Sequence, residues 1–209
     1  MNFKPISNKF EYLNWQEIES IAKEKRSTVI WPFGAVEQHG PHLPLATDSI
    51  FVDDIISEVF KLLPADIPLK KLPTQYIGFS PEHKGFAGTI SLSSNLITSM
   101  IKEVGGQLSE MGFKRLILIN GHGGQISLLN TAARELRSFS PGMAVFPCFL
   151  WSGVNGLSEL LTKTEIEDGL HASLAETSLM LALKPELVGD ERPNEGIKGQ
   201  IPEGWSLEG

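Results

Sequence analysis

Apolar residues recur along the chain in two alternating rhythms: short unbroken runs, and longer stretches with a period near 3.6. The runs Thr28–Phe33, Lys114–Asn120 and Met143–Leu150 are continuous and apolar, the pattern of strands buried on both faces of a parallel sheet. Apolar positions at 51, 52, 55, 56, 59, 60 and 63 predict a helix over Asp48–Leu63, ended by Pro64 and Pro68. Trp15–Lys25 predicts a short amphipathic helix. Ser94 offers an N-cap to a helix that runs to Met111 and stops at Gly112. Gln125–Ser138 is helical by period, with Pro141-Gly142 as its stop, and Leu157–Glu167 and Ser173–Leu183 predict two further helices. Lys71–Ile77 and Thr89–Leu92 read as extended, and from Val188 onward Gly, Pro and charge predict loop. Strands alternating with helices imply an α/β sheet, whose ligands bind beyond the carboxyl ends of its strands.

The 209 residues fit one domain over 1–209, long enough to bury a real core. The tail stops at Gly209 without a closing element, as if the chain were short at its C-terminus. A net charge of −7 argues against nucleic acid or an anionic membrane as partner, because phosphates demand a basic face. The single cysteine, Cys148, excludes an intramolecular disulfide and a Cys-rich zinc site; its apolar surroundings predict a buried structural thiol. No run reaches the ~20 apolar residues of a membrane span, and the N-terminus lacks the apolar core of a signal peptide, so the expected location is cytoplasmic.

Just after the Thr28–Phe33 run, a short stretch gathers Glu37, His39, His42 and Asp48. Carboxylates and imidazoles at the mouth of a strand are the donors a Zn, Mn or Fe site takes. In extended backbone, residues i and i+2 point the same way, roughly 7 Å apart. Glu37 and His39 can then each hold one of two metals about 3.5–4 Å apart, with Asp48 bridging. Taken singly, His39 reads as a packed imidazole, His42 as part of a proline-stiffened loop and Asp48 as a helix N-cap. A second cluster, Asn120-Gly-His-Gly-Gly-Gln, sets His122 between glycines that leave room for a metal and a substrate. Its rival is a phosphate cradle at the N-terminus of the following helix, although neither dinucleotide nor P-loop spacing is present. In a third cluster His171 and Glu176 stand five residues apart, about 140° around a helix. His171 therefore precedes the helix and both border one pocket from different sides, unless Glu176 is simply a solvated helix-start acid. In the fourth, Ser80, Glu82 and His83 lie in a glycine-rich loop that suits a substrate-binding edge or an ordinary surface.

Together these residues resemble the creatininase (creatinine amidohydrolase) family. The resemblance runs through Pro32-Phe-Gly-Ala-Val-Glu-Gln-His-Gly-Pro-His-Leu-Pro-Leu-Ala-Thr-Asp, Gly78-Phe-Ser-Pro-Glu-His, Gly88-Thr-Ile-Ser-Leu, Asn120-Gly-His-Gly-Gly and His171-Ala-Ser-Leu-Ala-Glu-Thr-Ser, in family order over about residues 28–185. It implies a three-layer α/β/α sandwich with a mostly parallel sheet, two divalent metal ions (Zn, Mn or Fe) and a homo-oligomer, often a hexamer. It implies hydrolysis of a non-peptide C–N bond, typically a cyclic amide or formamide, by a metal-bridging hydroxide, though some members act on short peptides. By motif position Glu37, Asp48 and His122 hold one metal, and His39 and bridging Asp48 the other. The family carboxylate two residues after the third-motif histidine is Gly124 here, which leaves Glu176 as the remaining ligand. The aromatic residue expected directly after that histidine is Gly123, which argues against creatinine as substrate. His171 is the expected proton donor, Glu82 and His83 orient the small-molecule substrate, and Ser80 and Gly123 line its site. The rivals are a lyase or isomerase on the same scaffold, a non-catalytic metal-stabilised binding protein and a nucleotide-binding module at Gly121–Gly124.

Overall fold

The computed structural model describes residues 7–64, 66–168 and 171–192. Four strands, β1 (Thr28–Phe33), β2 (Leu69–Lys71), β3 (Arg115–Asn120) and β4 (Ala144–Phe149), form one parallel sheet in the order β2-β1-β3-β4. Seven α-helices are described: α1 (Trp15–Ala22), α2 (Thr47–Leu62), α3 (Ser94–Met111), α4 (Ile126–Phe139), α5 (Leu157–Leu160), α6 (Lys163–Asp168) and α7 (Leu174–Leu183). Every residue of the central strand β1 is buried. Val29, Trp31 and Phe33 on one face meet α1, α3 and α4 through Ile21, Ile97, Ile101, Leu129 and Leu136. On the other face Ile30 packs with Ile56 of α2 and Leu69. Outside that layer α7 lies on α2 through Phe51 and Met180. These layers make the expected α/β/α sandwich.

Local chemistry sets the helix ends. Asn14 caps α1 in a reciprocal capping box with Glu17. Ser93, one residue before the expected cap, caps α3, and Gly112 ends it at φ 104°. Ser173 caps α7 by accepting from the Glu176 amide.

Four expectations need correction. The strand expected over Lys71–Ile77 lies earlier and is shorter, Leu69–Lys71. Pro73 cannot donate to a ladder, and beyond it only a bridge between Phe33 and Gln75 continues the pairing. Leu157–Glu167 is two helices, because Leu161 turns extended and the Thr162 hydroxyl caps the Glu165 amide. Met143–Leu150 contains the expected strand, but among the described residues β4 is an edge strand rather than one buried on both faces. Its exposed residues Ala144, Phe146 and Cys148 alternate with more buried neighbours, since α4 covers one face only. Cys148 is accordingly exposed, not a buried thiol. The loop expected from Val188 holds as far as Arg192, and the rest lies outside the described residues. No described helix is long and apolar enough to cross a membrane.

One close approach fixes where α2 begins. A Cβ on Gly34, just past β1, would lie 2.2–2.6 Å from Ser49 Oγ, Cα and N. One on Gly121, just past β3, would lie 2.6 Å from the Asp48 carbonyl oxygen. Only bare backbone at both strand ends lets the first turn of α2 sit on them, where Ser49 Oγ donates to the carbonyls of Ala35 and Tyr76. The Gly34→Ala variant should lose about 1–3 kcal/mol or more, as overpacked cores do. Thermal unfolding would measure this, and metal content would drop with it because Asp48 moves.

Farther along α2, Asp53 is tied to β2 and the loop after it by Lys71 Nζ at 2.6 Å and Thr74 Oγ1 at 2.6 Å. Partial burial pushes its carboxyl up, but Lys71 and Thr74 outweigh it and hold it below its ordinary 3.8. A depressed carboxyl contributes stability above 3.8 and loses it as pH falls through the lower folded value. The stability gap between wild type and Asp53→Asn should therefore be present at pH 7 and close in stronger acid, read by denaturant titration at both pH values.

Candidate metal centre

Four of the five histidines converge with four carboxylates beyond the carboxyl ends of β1 and β3. The segment after β1 delivers Glu37 and His39, held in place where Val36 bridges Ile90 and the Glu37 amide donates to the Leu45 carbonyl. The first turn of α2 delivers Asp48, whose charge the helix N-terminus favours. The turn after β3 delivers His122. Its amide donates to Asn120 Oδ1 at 3.0 Å, and Asn120 Nδ2 donates back to its carbonyl. Gln125 locks three segments together, donating to Gly34 and Asn120 and accepting from the Phe79 amide. His171 precedes α7 and Glu176 lies in its first turn. Ala172 between them takes a left-handed φ of 49°, which turns the chain so that both side chains reach the cluster.

Asp48 is the hinge of the arrangement. Its Oδ1 lies 3.2 Å from His39 Nε2 and its Oδ2 lies 3.2 Å from His122 Nδ1. Glu37 Oε1 lies 3.1 Å from the same His122 nitrogen. Glu37, His39 and Asp48 each place a donor atom within 4.8 Å of the others, and so do His39, His171 and Glu176. Burial opposes a charge on His39, but Asp48, Glu176 and Glu37 together lift its pKa to about 9. Burial likewise works against charge on His122, and Asp48, Glu37 and Glu82 outweigh it, raising its pKa well above the ordinary value. Burial and then the Asp48 charge raise Glu176 to about 7, against a lowering pull from His39.

The donor set fits divalent metal. Glu37 Oε1, Asp48 Oδ2 and Glu176 Oε2 are buried and make no hydrogen bond. Buried carboxylate oxygens without partners are costly, and a cation is the partner that removes the cost. A single proton on His122 Nδ1 cannot satisfy both Glu37 and Asp48, whereas one ion can. Ligands about 2.1 Å from a tetrahedral ion stand about 3.4 Å apart, close to the separations here.

The other candidates fall around this core. His171 Nε2 donates to the Gln38 carbonyl at 2.6 Å, which leaves Nδ1 with its lone pair toward Glu37 Oε1, 3.7 Å away. Burial first, then the His39 charge, lowers its pKa to about 4. His83 stacks on His171 with ring centroids 4.3 Å apart. Glu82 lies against His122 Nε2. Ser80 is fully buried and donates to Glu37 Oε2. Space is open around Gly123, where an added Cβ would meet nothing within 4 Å. His42 stands apart from the cluster: its Nε2 pairs with Thr177 Oγ1 at 2.8 Å and steadies the first turn of α7. Sequence reasoning passed over Gln38, which accepts from His171 with its carbonyl and donates to His83 Nδ1 with its side-chain amide. Its place between Glu37 and His39 was the available signal, because alternation turns it to their other side.

A family model described as Creatininase, creatinine amidohydrolase, matches residues 11–207. The chain belongs to the creatininase family. A mycofactocin precursor peptide peptidase of Mycobacterium tuberculosis is 33% identical over 181 residues, 84% of this chain; the chain spans 66% of that relative's length. A creatinine amidohydrolase of Pseudomonas putida is 28% identical over 194 residues, covering 86% of this chain and 73% of its own. The solved structure of a manganese creatininase superposes with a TM-score of 0.76 at 26% identity, covering 95% of this chain and 83% of that one.

If Asp48 joins two metal sites, Asp48→Ala should lose most of the bound metal, and His39→Ala should lose about half. Plasma mass spectrometry on proteins purified without chelator would check this, and full metal content in both variants would sink the assignment.

Proposed function

We propose that the protein is a two-metal amidohydrolase that cleaves an amide C–N bond, with Zn, Mn or Fe as its ions. The observation that carries this reading is the placement of Asp48 between His39 and His122, with the free oxygens of Glu37 and Glu176 on either side. Glu37, Asp48 and His122 would hold one ion; His39, Asp48 and Glu176 would hold the other. Two divalent ions bound there would supply a water acidified toward neutrality and a Lewis acid for the carbonyl.

The remaining chemistry falls to the chain. His171 presents a neutral Nδ1, since its Nε2 proton is committed to the Gln38 carbonyl. It takes the proton of the attacking water and passes it to the leaving nitrogen. His83, stacked on His171 and hydrogen-bonded to Gln38, orients the substrate beside it. Ser80 fixes Glu37 from behind. Gly123 leaves the mouth of the site open to the substrate.

The substrate class that fits the motif pattern is a cyclic amide or formamide, with creatinine disfavoured because Gly123 offers no aromatic wall. A second reading, a short peptide, is favoured by the peptidase named among the relatives and by the same open space at Gly123. A panel of cyclic amides, formamides and short peptides, run in 18O-labelled water with the metal-loaded protein, separates these readings and tests hydrolysis against lyase or isomerase chemistry. His171→Ala should keep its metal and lose about 10²–10⁴-fold in turnover, the usual worth of a positioned acid–base group. Undiminished turnover in that variant, or product free of label, would overturn the proposal.

A further inference from the structure

The two edges of the His122 ring face different surroundings. Nδ1 looks toward Glu37 and Asp48, at 3.1 and 3.2 Å. Nε2 looks the other way, toward the Phe79 carbonyl at 3.0 Å and Glu82 Oε1 at 3.2 Å. A carbonyl oxygen only accepts, so Nε2 carries the proton and Nδ1 keeps the lone pair that a metal needs. Glu82 reaches this position from the short 3-10 turn Pro81–His83, on a different segment from His122.

It reaches there through a gap in the chain. A Cβ on Gly124 would stand 2.0 Å from Glu82 Oε1, 3.0 Å from Glu82 Cδ and 2.7 Å from His122 Nε2. Any side chain at 124 thus competes with Glu82 for one volume. Gly124 has no left-handed φ to explain it, unlike Gly112 or Gly88. What its missing side chain leaves is room for the carboxylate.

We infer that Glu82 is a positioning residue, the carboxylate of a carboxylate–histidine–metal triad through His122, and that Gly124 exists to admit it. The inference rests on reading His122 as a metal ligand. A carboxylate behind a ligating imidazole fixes its tautomer and ring orientation and raises its basicity, and losing such a partner costs about 10–100-fold in metal affinity. Glu82 therefore acts on metal binding through His122 rather than on the substrate.

The test measures Zn affinity by competition with a chromogenic chelator, and the visible spectrum of the Co-loaded protein, for wild type, Glu82→Ala, Glu82→Gln, Gly124→Ala and the double variant Glu82→Ala/Gly124→Ala. Thermal unfolding of each metal-free protein confirms that it folds. Glu82→Ala should weaken one of the sites about 10–100-fold and shift the Co bands. Glu82→Gln keeps an oxygen for the Nε2 proton and should recover most of the affinity. Gly124→Ala should imitate Glu82→Ala, and the double variant should lose clearly less than the two single losses multiplied together. Wild-type affinity and spectrum in Glu82→Ala, or full additivity in the double variant, would overturn the inference while leaving the metal centre intact. An equal loss in Glu82→Gln and Glu82→Ala would overturn it in favour of Glu82 as a direct ligand. Failure of wild type to bind Zn or Co at all would overturn the metal reading itself and the inference with it.

Discussion

The contact on which the rest of the site depends is the seating of the first turn of α2 on the carboxyl ends of β1 and β3. Asp48 sits in that turn, and its two oxygens reach the histidines that arrive after β1 and β3. The distance is set by backbone against backbone, because Gly34 and Gly121 present no Cβ to Ser49 and Asp48. Side chains in a core can repack by rotamer changes; a helix resting on peptide groups has no such freedom. The position of Asp48 is therefore inherited from the fold, through β1, β3 and α2, and the segments after the strands bring the other donors to it.

That rigidity carries an electrostatic cost. Glu37, Asp48 and Glu176 are each less than a tenth exposed, and three carboxylates in one buried volume repel one another and lose their hydration. Two signs of the conflict are visible, and both run upward: Glu176 is pushed to about 7, which favours its neutral form, and His39 is drawn to about 9, which favours its charged form. The protein alone satisfies part of the demand, with Ser80 on Glu37 and the N-terminus of α2 behind Asp48. Glu37 Oε1, Asp48 Oδ2 and Glu176 Oε2 are left without hydrogen-bond partners, and positive charge supplied from outside would relieve the repulsion and the missing hydrogen bonds together.

Much of the fold was legible because parallel strands covered on both faces leave an unmistakable apolar run, as in β1 and β3. The pattern misled where burial is one-sided. In β4 the outward Phe146 and Cys148 are as apolar as the inward Val145, so composition alone could not reveal an exposed face. Pro73 and Leu161 interrupted elements whose periodicity continued across the break. At the site, the candidate ligands were readable as coincidence: histidines and acids in turns that follow strands. Glu176 was readable only with help, since five residues of helix would turn it away from His171. The left-handed Ala172, a backbone state nothing in the side chain announces, is what brings them together. The contacts of Gln38 and Glu82 were harder still: they reach across 133 and 40 positions of chain, to His171 and His122, which no local spacing encodes.

The glycine pair after His122 joins these threads. The resemblance to the creatininase family implies an aromatic residue at 123 and a carboxylate at 124, and this chain has neither. Both absences look at first like losses of function. The geometry separates them. Around Gly123 there is open space, so its missing side chain leaves the volume next to His122 unfilled. Over Gly124 the space is filled by a carboxylate entering from another loop, so its missing side chain costs the cluster no negative charge. One position leaves free space beside His122, and the other leaves room for a carboxylate against its ring. A substitution read along the chain cannot tell these apart, because the distinction lies in what occupies the vacated volume.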